Sequence, residues 1–555
     1  MRLAFILILA LCVRLAGVWF GLPDLYHADE PIVVNHALAY GAGDLNPHFF
    51  KIPPLTSYAL FVFYGVYFLI GRLFHRFGNV DDFATLFVSD PTSFYLIGRL
   101  LLGVMLGSLT VFYLYRLTEK FLSKERALYA SFFLALCFLH VRDSHYIYTD
   151  IPVVLTLVLC FFPLFRISER GRTGDYVAFG FLAGSAVAVK YNAVLVFIPF
   201  LCLCFVKWLF DKNSLRFGQV VASLLVGLIV YSALNPFSWI DLWSFWGELT
   251  QQSRVESFVG PLHHLRYSLA KGMGLPLLAL SLLGAFRALV QPERKRGILL
   301  SFLAAYYVVL AFFSQPFERY ALPLIPFLCL FAGDGLVWMK ERIKLPSVAC
   351  LVLACLVALP SAVKVYASDA LFMQKDVRTE GREWIEEFVP SGTRIALDDP
   401  FFMPRLNRSL NQLEEMNREI SGGPSPNKIQ AKRLEVMLRE AHKTAKPSYE
   451  LYFFKESQGW NNFLFSKPQI PANLGAFRDR GIKYVLVYAL PKGKKRLIDQ
   501  ELETQAKLVA QFSPYKDERR ERSIEALHMT GGPFRWEELK ARERNGHSIR
   551  VYELK

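Results

Sequence analysis

From its first residues to about Tyr366 the chain is a succession of apolar runs joined by short charged links, most runs near the length a helix needs to cross a hydrocarbon core. Within a bilayer every backbone amide must find its partner inside the protein, so repeated runs of this kind admit a bundle of membrane-crossing helices. They fall near residues 3–21, 95–115, 127–141, 151–167, 176–189, 192–208, 217–234, 275–290, 297–313, 320–338 and 346–363. With 53% hydrophobic residues, 48 of them Phe, a 555-residue chain is too apolar to be soluble throughout. Residues 1–20 read as a retained first helix, because Arg14 interrupts the run and no small-x-small cleavage site follows. After Tyr366 short apolar stretches alternate with polar helical ones. The expected fold class is a polytopic α-helical membrane protein of about 11–12 transmembrane helices with a C-terminal soluble α/β domain, divided at 1–365 and 366–555.

The charges set an orientation. The net charge of +15 would suit nucleic acid, but many of the Lys and Arg residues sit in the links at 116–126, 166–175, 207–216, 291–297 and 340–346. Such links stay in the cytoplasm, so the charge reports topology and nucleic acid is excluded as a partner. Residues 55–77 are long enough to span, yet a single crossing there would move link 116–126 outside. They are therefore read as an interfacial or re-entrant helix in one large first external loop, residues 22–94. The C-terminal domain then also lies outside, and an inner (plasma) membrane location is expected. All eight cysteines lie in apolar segments, so neither a disulfide framework nor a CxxC metal site is implied.

This parity brings the chemistry to one external face. The first loop carries His27-Ala28-Asp29-Glu30-Pro31, an adjacent acid pair where carboxylates are costly. Lys51, the stretch 143–150 with His145, Tyr148 and Asp150, Lys190, and Glu318-Arg319-Tyr320 approach the same face. Acids and cations converging at a membrane surface suit transfer of a sugar carried on a lipid phosphate. Asp29 or Glu30 would take the proton of the attacking hydroxyl. Lys51, Lys190, Arg319 and Tyr320 would hold the departing phosphate. Each has a plainer reading: Lys190 snorkelling, Arg319 paired with Glu318, Asp150 an N-cap, and 143–148 an ordinary loop. Arg99, inside a span, needs a partner or a cavity, and with His145, Tyr148 and Asp150 it is a candidate substrate contact. His27, Asp29 and Glu30 are the candidates for a divalent metal, and no other cofactor is implied.

HADEP, KIPPL, YLIGRLL, YTDIP, GSAVAVKYN and FERYALPLIPF occur in an order that resembles the GT-C superfamily. The resemblance is to the phospholipid-carrier-dependent glycosyltransferases, which include the protein O-mannosyltransferases and aminoarabinose transferases of glycosyltransferase families 39 and 83. It covers the membrane domain and continues into GREWIEEFVPSGTRIALDD and RGIKYVLVYAL. It implies a glycosyltransferase using a polyprenyl-phosphate-linked donor, with a protein, glycolipid or polysaccharide acceptor; a single displacement, for which one carboxylate face suffices, would invert the anomeric carbon. It also implies Asp29 as base with Glu30 beside it, and Lys51, Arg319 and Lys190 as phosphate contacts. The chain departs from the family at Ile52, which shifts Lys51 by one residue from the Pro-Pro-Leu that follows. The loop 78–93 is also long, and its acids Asp81, Asp82 and Asp90 are open to a role in shaping an acceptor site. A flippase or transporter of lipid-linked sugars and an O-antigen-ligase-like transferase are the alternatives. No internal repeat of the kind transporters show is evident. In the C-terminal domain, strands are expected at 394–397, 449–454, 483–488 and 549–554, and helices at 378–388, 411–419, 429–442 and 499–512.

Overall fold

The computed structural model describes residues 2–210, 217–252, 260–312, 317–422, 428–444, 446–455, 468–490, 495–517 and 534–555. The chain forms two compact units. The first holds Met1–Val18, Ile32–Phe63 and Ile97–Ala367, and the second holds Trp19–Pro31, Tyr64–Leu96 and Ser368–Lys555. Parts of the first loop thus group with the C-terminal residues.

Among the described residues, 8 helices are long and apolar enough to cross a membrane, or up to 9 if the bent pair His264–Met273 and Leu275–Val290 is one span. The shorter apolar helices Leu3–Leu15 and Thr173–Val189 accompany them. Leu55–Leu73 is among the 8 by length and composition. The run at 127–141 is not one helix: Lys124–Ala135, started by a Ser123 side chain that accepts the Arg126 N–H, stops before Cys137, and Phe138–Asp143 follows. The run at 95–115 lies inside a longer helix, Thr92–Phe121, which carries a π-helical stretch at Arg99–Met105.

Small residues let the helices of the first unit approach closely. A side chain added at Gly180 or Gly184 would meet the backbone of Ser223 or Gly227, and one at Gly284 would meet the Phe331 carbonyl. Backbones packed this tightly are the usual substitute for hydrophobic driving force between apolar helices. Charges of the basic links are gathered by one acid. Asp334, fully buried, accepts from Arg126 Nε at 2.8 Å, Arg287 Nη1 at 2.8 Å and Arg296 Nε at 3.0 Å.

In the second unit a six-stranded sheet runs in the order β3-β2-β1-β4-β6-β5: β1 Arg394–Leu397, β2 Glu450–Phe454, β3 Gln469–Ile470, β4 Tyr484–Tyr488, β5 Ala506–Phe512 and β6 Ile549–Leu554. β1 pairs in parallel with β2 and β4, and β6 pairs antiparallel with β4 and β5. Helix Val377–Phe388 packs on one face through Val377 and Ile385, against Leu397 and Leu486. Helices Leu474–Asp479 and Leu497–Gln505 cover the other through Phe477 and Leu502, against Val485 and Val487. The expected helix 499–512 is half wrong. It ends at Gln505, and Ala506–Phe512 instead becomes the edge strand β5. There the Lys507-Leu508-Val509-Ala510 stretch finds a ladder on β6, with a bulge between Leu508 and Ala510, that a helix could not offer. From the first loop, Val80–Ser89 joins this unit with an Asn79 capping box. It meets helix Lys428–Lys443 through Arg439 to Thr85 at 2.8 Å and Lys432 to Asp81 at 3.3 Å.

Candidate active site

The first unit assembles most of the expected cations and acids where helices begin or end. Helix Thr173–Val189 stops at Lys190, whose extended backbone turns its side chain toward the start of Asp150–Glu169. Lys190 Nζ bonds Asp150 Oδ1 at 2.6 Å and lies 5.1 Å from the centre of the Tyr320 ring. Arg319 sits in the 3-10 stretch Glu318–Leu324 that opens the next helix, buried, with its guanidinium 4.9 Å from the Tyr148 ring centre and 5.9 Å from that of Tyr320. Lys190 and Arg319 therefore share Tyr320. Asp150 is engaged by a lysine and is not an N-cap.

Beside them, Arg142 pairs with Asp143 at 2.9 Å and approaches Glu318 at 4.0 Å. Burial lifts the Asp143 carboxyl to about 6, and the negative charge of Asp150 adds to the rise, while Arg142 and Arg319 oppose it. The loop ahead of Lys51 is fixed from two sides. Glu248 accepts the Phe50 N–H at 2.5 Å, and the Tyr191 hydroxyl donates to the Phe50 carbonyl at 3.0 Å. Lys51 itself is half-buried. Glu248 belongs to helix Leu242–Gln252, whose opposite face exposes Leu242, Trp243 and Trp246.

Arg99 and His145 go elsewhere in this unit. Arg99 donates to the Val18 carbonyl at 2.8 Å, and the His145 ring reaches the Ala16 carbonyl at 2.9 Å. Both hold the chain as it leaves the first helix. Sequence reasoning missed Arg142, Tyr191, Asn192, Glu248, Tyr306 and the use of Glu318 beside Arg142. Tyr306 gives no signal inside an apolar run, whereas Asn192, two residues past Lys190, is a polar residue at a helix start and was legible in principle.

The acid pair lies in the second unit. Glu30 is fully buried and starts helix Glu30–Ala39, and Asp29 is half-buried. His27 Nδ1 accepts the Asp29 N–H at 3.3 Å. Just upstream, C-terminal residues grip the chain. The Tyr26 hydroxyl contacts Asp24 Oδ2 at 3.0 Å and Thr379 Oγ1 at 2.9 Å, and Thr379 also donates to Asp24. Arg382 reaches Asp24 at 3.2 Å, and Arg378 lies 3.9 Å from the Tyr26 ring centre while Asp376 holds it at 2.8 Å. Burial, with Asp24 second, pushes the Tyr26 hydroxyl well above its usual pKa, so it stays a neutral hydrogen-bonding group. Among the described residues, no three His, Cys, Asp or Glu side chains converge to hold a metal ion, so the His27, Asp29 and Glu30 set does not fit one.

Residues 83–239 match the model of the dolichyl-phosphate-mannose-protein mannosyltransferase family. The whole chain is similar in fold to the crystal structure of ArnT from Cupriavidus metallidurans bound to undecaprenyl phosphate, with a TM-score of 0.52 at 13% identity, covering 99% of this chain and 97% of that one. The same protein in its apo state gives a TM-score of 0.51 at 12% identity, covering 98% and 97%. The archaeal oligosaccharyltransferase AglB from Archaeoglobus fulgidus is a looser likeness at 0.48 and 11%, covering 99% and 88%. No curated protein matches the chain by sequence. Residues 83–239 thus resemble the dolichyl-phosphate-mannose-protein mannosyltransferase family, and the chain as a whole has the fold of the ArnT structures.

Proposed function

We propose that the chain transfers a sugar from a polyprenyl-phosphate-linked donor to an acceptor hydroxyl at the extracytoplasmic face of the membrane, with inversion at the anomeric carbon. The observation that carries this reading is the pair of cations, Lys190 and Arg319, held on one tyrosine ring at the ends of apolar helices. Guanidinium and ammonium groups in such a setting suit a phosphate, and Arg can bind two of its oxygens at once. The similar ArnT structure contains undecaprenyl phosphate, a ligand of that chemistry. Lys51 is the third contact in this reading, its loop tied to Tyr191 immediately beside Lys190.

Asp29 is the base and Glu30 its neighbour. As the acceptor oxygen bonds to the anomeric carbon, its proton passes to the carboxylate, and the carbon–oxygen bond to the phosphate breaks with its electron pair. The cations neutralise the charge that gathers on the phosphate. One displacement without a covalent intermediate inverts the carbon. A protein, a glycolipid or a polysaccharide each supplies a suitable hydroxyl. Reconstitution with radiolabelled polyprenyl-phosphate sugars tests the reading: the wild type transfers label and Asp29→Asn loses at least about 100-fold. Equal transfer by both eliminates Asp29 as base. Movement of the sugar lipid across the bilayer with no transfer replaces the enzyme by a flippase.

A further inference from the structure

Asp150 and Asn192 each carry one buried oxygen without a hydrogen-bond partner among the described residues. Asp150 is 3% exposed; Lys190 takes its Oδ1, and its Oδ2 has no hydrogen-bond partner among the described residues. Asn192 donates its Nδ2 to the Tyr306 hydroxyl at 2.6 Å, and its Oδ1 is likewise buried and unpartnered. Asn192 stands two residues past Lys190, whose ammonium holds Asp150. The two orphaned oxygens thus belong to one neighbourhood. Thr149, at the cap position ahead of Asp150, makes no capping bond, and its wholly buried hydroxyl is likewise unpartnered among the described residues.

Proteins rarely leave buried acceptors unpaired, because the lost hydration is not returned, and the exceptions mark places where something else binds. What would bind here must donate to a carboxylate oxygen and to an amide oxygen. It can also accept from Lys190, whose ammonium has more N–H groups than its one bond to Asp150 uses. A free phosphate is all acceptor and fails that test at Asp150. Hydroxyl groups, each both donor and acceptor, meet it.

We infer that Asp150 and Asn192, with Lys190 and Tyr306, form a subsite that reads hydroxyl groups of the donor's sugar, beside the phosphate contacts at Lys190 and Arg319. This rests on the proposed lipid-linked donor. Lys190 then serves both halves of the donor, and Asn192 is the residue that distinguishes one sugar from another. A site built to pair with a hydroxyl strongly rejects an analogue that lacks it, since the buried partner is left alone.

The test uses the full-length chain in lipid nanodiscs, with polyprenyl-phosphate hexoses and pentoses, their monodeoxy analogues and bare polyprenyl phosphate. Thermal shift reads binding independently of transfer. The wild type should be stabilised more by one sugar-bearing lipid than by bare polyprenyl phosphate, and removal of one hydroxyl should abolish that excess. Asn192→Leu, and Asp150→Asn with its lysine contact kept, should respond equally to all of these lipids. In transfer assays the wild type should prefer the parent donor over that deoxy analogue by about 10- to 100-fold in kcat/KM, with the preference gone in Asn192→Leu. Equal stabilisation of the wild type by sugar-bearing and bare lipid overturns the subsite. So does an Asn192→Leu variant that is uniformly slower on parent and deoxy donors but keeps the preference. Selective binding with no transfer leaves the subsite standing and removes the proposed reaction instead.

Discussion

Asp334 stands fully buried with guanidinium groups of Arg126, Arg287 and Arg296 on its oxygens, and Glu341 and Glu293 take up the outer sides of two of them. Removing the one acid common to all three leaves like charges facing each other in a poorly solvated place. Breaking a buried pair from one side costs about 3–5 kcal/mol, so Asp334→Ala should lower the thermal midpoint in detergent by several degrees or prevent folding. Asp334→Asn, which keeps the acceptor oxygen, should fall between. A midpoint unchanged in both would mean that the arginines find other partners. Asp398, at the end of β1, behaves differently. Burial raises its carboxyl to about 6 even though Arg496 bonds it at 2.6 Å. A folded pKa above the unfolded value of about 3.9 means that the folded state holds the proton more tightly. The stabilising contribution is therefore complete below pH about 3.9 and is lost as pH rises through about 6. Thermal unfolding followed from pH 4 to 7 should show Asp398→Asn losing less stability over that interval than the wild type. Parallel curves would separate Asp398 from this dependence.

At the scale of elements, helix Val377–Phe388 does more than cover the sheet. Its first turns supply Arg378, Thr379 and Arg382 to Asp24 and Tyr26, three residues ahead of Asp29. If Asp29 is the base, this helix sets its place, and small displacements of a reacting group are expensive. Arg378→Ala should lower kcat by about 10- to 100-fold with the donor KM little changed. A raised donor KM at constant kcat would show that the helix does not position the acid. The helix itself was legible: its apolar residues recur on one face, and Asp376 caps it. Ala506–Phe512 was not, because the polar helical pattern runs into it without a break and only pairing with β6 decides its form. The same limit applies to the site. Lys190, Arg319, Tyr148, Asp150 and Tyr320 stand out as charged or aromatic residues at the ends of apolar runs, and they meet. Tyr306 lies within a run and Glu248 on a short helix, so their partners depend on tertiary packing that no local pattern carries. Arg99 and His145 looked equally promising, and the structure uses them on the backbone of Ala16 and Val18.

For the whole molecule the issue is which side each segment faces. Asp24 and Asp81 both contact C-terminal residues, through Arg382 and Lys432, within one compact unit. Two points of the chain bound to one soluble domain lie on one side of a membrane, so the chain between them crosses an even number of times. Among the described residues of that interval Leu55–Leu73 is the helix long and apolar enough to cross, so an even number of crossings predicts an interfacial or re-entrant course for it. Its exposed apolar face, Val62, Val66, Leu69, Ile70 and Leu73, suits contact with lipid in that posture. Trp243, on helix Leu242–Gln252, is a further large apolar side chain left 89% exposed. Single cysteines in a cysteine-free background read the arrangement directly. Asp44→Cys, Arg76→Cys and Ser391→Cys, all at exposed positions, should react with an impermeant maleimide in intact cells. Lys120→Cys, exposed in a basic link, should react only after the membrane is opened. Reaction of Asp44→Cys and Arg76→Cys from opposite sides would make Leu55–Leu73 a true span. Labelling of Lys120→Cys and Ser391→Cys from the same side would undo the orientation on which a shared external face for Asp29, Lys190 and Arg319 depends.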